Sequence, residues 1–211
     1  MVNVLNFFDE SGAEEHPLLA LTAEQKTNAS IAAILHDIGK SGPFKATQGE
    51  QEAVIQLFSI EGIKVPSHSV GEVVAERFGK NQGEEMLKKL AGCGIDSKMS
   101  MREFWNKHAE WTYEILTAHP KGINDHIRNI AGSHHLDNGV NPRLRPKAKT
   151  SLQPSNIETL GDEVDDLTVR ILMVVDKYQA VLRRGGAKHE AAIAWVRQNL
   201  AKYKEDDSLL S

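Results

Sequence analysis

The 211-residue chain has a single cysteine, Cys93, which excludes a disulfide framework and a thiolate zinc site and suits a reducing compartment. Positive charge is not in excess: 25 Lys and Arg stand against 29 Asp and Glu, for a net charge of −4. No bulk basic field is available to follow a phosphate backbone, so a nucleic-acid duplex is not an expected partner. Apolar runs are short. Ile171 to Val175 is typical, far below the roughly 20 residues of a membrane-spanning helix, so no membrane is expected. Met1 to Glu10 lacks a basic stretch followed by an apolar core, so a secretory leader is not expected either. Alternating runs bounded by turn residues are missing, which argues against a sheet, and no internal repeat is visible. What is present is an ordinary globular composition, 40% hydrophobic, with enough length for about one domain. The expectation is one soluble, cytoplasmic domain over residues 1–211.

The remaining pattern is helical. Ala23 to Leu35 follows Thr22, with Gln25 at the spacing of a capping box and Ile31, Ile34 and Leu35 on one face. Gln51 to Ile60, Ser69 to Phe78 and Gly83 to Leu90 read as three short amphipathic segments. Ser100 to Ala118 is a long helix, capped by Ser100 and Glu103 and ended by Pro120 and Gly122. Asn124 to His135 forms a further helix behind an Asn cap. Asn138 to Pro154 reads as a loop. Ile157 to Arg184 forms one or two helices, ended by Gly185 and Gly186, and Lys188 to Lys204 is the last. The fold class is all-α.

The chain carries nine histidines. The sharpest local feature is His36-Asp37-Ile38-Gly39-Lys40, at the end of an apolar helix. A neutral ring nitrogen beside a carboxylate suits a divalent transition metal, and a carboxylate can bridge two ions. Taken alone, the pair reads equally as a packed histidine and a helix-end cap. It is accompanied by His108 inside a helix, by His134-His135 at the end of another, and by Asp176 after the apolar run Ile171 to Val175. A carboxylate closing such a run is costly to bury unless it is paired or bound to a cation. Gly39 is expected to permit a sharp exit from the helix, and Lys40 to leave a cation beside the site. Trp105, Trp111 and Trp195 read as core, and His68, His119, His126 and His189 as surface or helix-end residues.

The order HD, H, HH, D along helices resembles the HD superfamily of metal-dependent phosphohydrolases, most nearly its HD-GYP branch. Ala32 to Lys40 is similar to that branch's "aAlLHDIGK". Met99 to Trp105 leading into His108 and Leu116, and Arg170-Ile171-Leu172 with Asp176, Tyr178 and Ala180, are similar to two later motifs. The chain departs from the branch in four places. Ser41 to Lys98 is longer, and reads as a helical insertion over about 41–98. After His134-His135, Leu136 stands where the branch has Glu, and Val140-Asn141 precede Pro142 where Gly-Tyr would stand. Arg143 to Asp165 is longer than usual. The upstream histidine has no counterpart; His16 is the only histidine before His36.

The resemblance implies an HD-type helical bundle with a binuclear centre for two divalent transition-metal ions, Fe, Mn, Zn, Co or Ni. Asp37 would bridge them. His36 and Asp176, with His16 or water, would hold one, and His108, His134 and His135 the other. Two such ions activate a water and clamp a phosphoryl group, with Lys40 at the phosphate. Asp37 and Lys40 are thus the catalytic candidates, and Arg183, Arg184 and Lys188 candidate contacts for substrate phosphate. Arg143, Arg145, Lys147 and Lys149 form a basic loop, read as solvated charge or as part of the site mouth. The implied activity is phosphodiesterase-like hydrolysis of a nucleotide, a cyclic mono- or dinucleotide or a similar small phosphate ester. The alternative is a catalytically inactive HD-like module that binds metal and acts through a protein partner. A second copy of the chain as partner is left open.

Overall fold

The structure, a computed structural model, describes residues 21–60, 67–135, 163–185 and 188–200. The described residues form α1 (Ala23–Leu35), a 3₁₀ turn (Ile38–Ser41), α2 (Gln48–Phe58), α3 (Val70–Gly92), α4 (Met101–Ala118), α5 (Asp125–Gly132), α6 (Glu163–Gly185) and α7 (His189–Leu200). The architecture is all-α, and the described residues contain no strand, only a lone bridge between Ser69 and Ser100. No helix among them is long and apolar enough to cross a membrane.

The helix starts follow from side chains that satisfy otherwise unbonded N–H groups. Reciprocal capping boxes join Thr22 to Gln25, Thr47 to Glu50, Ser69 to Glu72 and Ser100 to Glu103. Asn124 caps α5 through the Ile127 N–H. Thr47 opens α2 before Gln51, the start read from the sequence. The next two segments, read as separate, are one element, α3, bent at Gly79, whose φ of 70° is disfavoured for a residue with a Cβ. Gly83, read as a break, lies buried inside the helix against Val74.

Helix α4 lies between two apolar clusters. Its Met101, Phe104 and Trp111 join Val54 and Leu57 of α2 and Val70, Val74 and Leu90 of α3. Its Leu116 joins Ala32 of α1, Ile127 and Ile130 of α5, and Val169 and Leu172 of α6. Helices α2 and α3 therefore share a core with α4. Backbone hydrogen bonds from Val70 N to Met99 O (2.8 Å) and from Met101 N to His68 O (2.8 Å) tie the starts of α3 and α4 together. Phe104 is fully buried, and truncating such a side chain costs about 3–5 kcal/mol.

Two packing expectations fail. Ile34 is 77% exposed, because α1 buries Asn28, Ala29 and Ala32 instead. Trp195 is 42% exposed on α7, whose Ala192 and Val196 face inward; Trp111 is buried and Trp105 half-buried.

Candidate metal centre

The local chain around His36 and Asp37 is held by α4. His36 is the C-cap of α1, and Asp37 begins the 3₁₀ turn. Thr112 Oγ1 donates to His36 O (2.8 Å) and accepts from Gly39 N (3.0 Å). Thr112 lies one helical turn after His108, so both face the turn. Gly39 serves close approach rather than a sharp exit. It lacks a positive φ, and a Cβ there would stand 2.0 Å from the His108 carbonyl oxygen and 2.6 Å from Thr112 N. The exit is made by Gly42, at φ 97°.

Three histidines share one arrangement. His36 Nδ1 lies 2.7 Å from Ala33 O, and His134 Nδ1 2.7 Å from Ala131 O; His108 Nδ1 meets Trp105 O. A carbonyl oxygen only accepts, so each Nδ1 carries the hydrogen, and in the neutral ring each Nε2 presents a lone pair. Those Nε2 atoms converge with two carboxylates. His108 Nε2 is 2.9 Å from His134 Nε2 and 3.1 Å from Asp37 Oδ1. His36 Nε2 is 3.6 Å from Asp37 Oδ2 and 3.8 Å from Asp176 Oδ1. The two Asp37 oxygens thus face different histidines.

His135 completes the group: its ring centroid is 4.4 Å from that of His134 and 4.8 Å from that of His108. It differs from the others at Nδ1, which receives Lys177 Nζ at 3.2 Å. Lys40 Nζ sits 2.5 Å from Asp37 Oδ2. Phe58 of α2 packs edge-on with the His108 ring at 5.7 Å, so α2 contributes a wall.

The electrostatics follow from this crowding. Burial works against the Asp37 carboxylate, but the His108 ring close beside it, His36 and Lys40 together hold its pKa far below the usual range. Asp176 is likewise opposed by burial and brought down to about 2, chiefly by His36. Burial also opposes charge on His36, yet Asp176 and Asp37 outweigh it and raise its pKa. Burial first, then the neighbouring His108, pushes His134 well below 6.5. His135 is depressed by burial, then by His134 and Lys177.

The donor set fits a metal ion. Two groups, His108–His134–His135 and His36–Asp37–His134, each offer ligand atoms within 4.8 Å of one another. Ligands about 2.0–2.1 Å from one ion lie about 2.9–3.4 Å apart in octahedral or tetrahedral geometry. The His108 separations of 2.9 and 3.1 Å fall in that range, and the His36 separations of 3.6 and 3.8 Å are wider. Imidazole with carboxylate suits Mn, Fe, Co, Ni or Zn better than Mg.

The structure thus brings together His36, Asp37, Lys40, His108, His134, His135 and Asp176. Arg183 and Lys188 are exposed, at the end of α6 and just before α7. Arg184 lies in α6, with its side chain outside the described residues, as are His16, Leu136, the segment from Val140 to Pro142 and the loop bearing Arg143, Arg145, Lys147 and Lys149. His68, His119, His126 and His189 are exposed. Thr112 and Lys177 escaped the sequence reading. Their signals were position alone: Thr112 four residues after His108, Lys177 next to Asp176.

The fold and site define an all-α protein with a partly buried His/Asp cluster able to hold a metal ion. Comparisons with family models, curated proteins and solved structures return no match.

Proposed function

We propose that the chain is a metal-dependent phosphohydrolase of HD type, acting on a nucleotide, a cyclic mono- or dinucleotide or a similar phosphate ester. One observation carries the reading. The Nε2 lone pairs of His36, His108 and His134, each oriented by a backbone carbonyl behind it, converge with Asp37 and Asp176. A proton relieves one such contact at a time, whereas a divalent ion engages several donors at once. Asp37, with an oxygen toward each side, is suited to a bridging role between the His36–Asp176 and His108–His134 sides. Divalent ions held there would activate water and polarise a phosphoryl group. Lys40, beside Asp37, places a cation where a phosphoryl oxygen would gather charge.

The test is metal content of the purified protein, followed by hydrolysis of bis-p-nitrophenyl phosphate with Mn, Fe, Co, Ni or Zn added in turn. The expected result is bound metal and metal-dependent turnover that Asp37→Asn abolishes. Bound metal without turnover on any ester would instead identify a non-catalytic HD-like module. A chain that takes up none of these ions refutes both.

A further inference from the structure

We propose that the Lys177 ammonium is a built-in competitor for the second half of the metal centre, so that the two half-sites differ in affinity and His135 ligates only when Lys177 withdraws. The inference rests on the metal-centre reading above and concerns a residue that reading leaves unused.

An ammonium only donates, so with Lys177 Nζ 3.2 Å away, His135 Nδ1 must be the accepting nitrogen. A neutral imidazole has one accepting nitrogen, so His135 Nε2 then carries the hydrogen. This is the opposite tautomer to His108 and His134, whose Nδ1 atoms donate to Trp105 O and Ala131 O. Neither nitrogen of His135 is then open to a metal: Nδ1 is occupied, and Nε2 bears a proton. Ligation through Nε2 would move the hydrogen to Nδ1 and set it against the Lys177 N–H groups. Ligation through Nδ1 displaces Lys177 outright. His36, Asp37, His108, His134 and Asp176 face no such conflict with Lys177. Lys40 Nζ stands 2.5 Å from Asp37 Oδ2 on the other side, but a carboxylate oxygen has a second lone pair and can accept from Lys40 while it ligates. The single accepting nitrogen of His135 is taken, so only an ion on the His108–His134–His135 side must first exchange with an internal cation. Lys177 cannot drift far, because it follows Asp176 in the same helix, and its charge also repels a divalent ion on that side.

Two measurements test this on the full-length, metal-stripped protein. In the first, Mn²⁺ is titrated into wild type and Lys177→Met, followed by calorimetry. The wild type is expected to bind one equivalent tightly and a second at least tenfold more weakly. Lys177→Met should tighten the second step tenfold or more and leave the first within about threefold; Lys177→Gln serves if the methionine variant does not fold. Two equal steps in wild type, or a second step unchanged in the variant, overturns the proposal and leaves the metal centre standing. No Mn²⁺ uptake by either protein removes the metal centre and this proposal with it. In the second, ¹⁵N imidazole shifts of the metal-free wild type report tautomers. His135 should be protonated at Nε2, and His108 and His134 at Nδ1. A hydrogen on His135 Nδ1 overturns the proposal whatever the variants do.

Discussion

His108 and His134 face each other through their Nε2 atoms at 2.9 Å, while the Nδ1 of each is committed to a carbonyl in its own helix. Two neutral imidazoles so oriented oppose lone pair to lone pair. The contact is stable only with positive charge between or beside them, and His134 is too deeply buried to supply it by protonation. The proposed metal centre follows from that relationship, and so do the expectations below.

Replacing Asp37 with alanine removes the carboxylate that faces both His36 and His108. The variant should lose at least one equivalent of bound metal. Metal at 100 to 1,000 times its dissociation constant contributes about 3–4 kcal/mol, so the melting temperature in excess metal should fall by roughly 10 °C. Unchanged metal content and melting temperature would exclude Asp37 as a ligand.

Gly39→Ala tests whether the HD turn must lie flat on α4. A Cβ 2.0 Å from a backbone oxygen cannot be absorbed by a flexible side chain, so the turn must lift away from His108. Stability should fall by about 1–3 kcal/mol, as in an overpacked core, and metal affinity should fall with it. Denaturant unfolding and metal titration of the variant check both effects. An alanine variant as stable as wild type would contradict the packing.

Acid should destabilise the metal-free protein in two stages. His134 and His135 have folded pKa values depressed below 6.5, so their stabilisation is present above about 6.5 and is lost as pH falls, because the unfolded chain takes up the protons. His36 has the opposite sign. Its raised pKa contributes fully below 6.5 and declines only as pH rises through the folded value, so it does not oppose the acid loss. The slope from the two buried histidines should reach up to about 1.4 kcal/mol per pH unit each. A second loss follows between 3.8 and about 2, as Asp176 protonates. Denaturant midpoints of the stripped protein across pH 2 to 8 test both stages; a midpoint flat from 6.5 down to 4 would refute the first, and one flat from 3.8 down to 2 the second.

Substrate choice tests the departures in the motif after His134-His135. On the proposed HD-type reading, Leu136 stands where a Glu is expected and Val140-Asn141 where Gly-Tyr is, so general phosphodiester or phosphomonoester hydrolysis is expected, with poor turnover of cyclic di-GMP. A panel of cyclic dinucleotides, cyclic mononucleotides, nucleotides and small esters, run with Fe, Mn, Co and Ni, checks it. A kcat/KM for cyclic di-GMP above about 10⁴ M⁻¹s⁻¹ would overturn the expectation.

Much of this was legible in the chain itself. Ala23–Leu35 agrees with the observed α1 at both ends, because Thr22 and Gln25 announce its start. The capping pair Ser100–Glu103 and the stop at Pro120 place α4 almost as closely. The segment between the HD pair and α4 was read less well. Gly79 and Gly83 look alike in sequence, but only Gly79 takes a positive φ, and Gly83 is a buried contact for Val74. Ile31, Ile34 and Leu35 share a face, yet Ile34 is exposed while the other two pack on the core, because periodicity marks an apolar face without saying what will cover it.

By itself, the sequence determined the all-α class, the helix starts and the residues able to bind a metal, since caps and side-chain chemistry are local properties. Tertiary structure alone decided that the Nε2 atoms of His36, His108 and His134 converge with Asp37 and Asp176, why residue 39 must be glycine, and that Lys177 rather than a carbonyl stands behind His135. These depend on atoms brought within about 3 Å from different helices. Hydrogen-bond direction and steric exclusion act only at that range, and a linear pattern does not contain it.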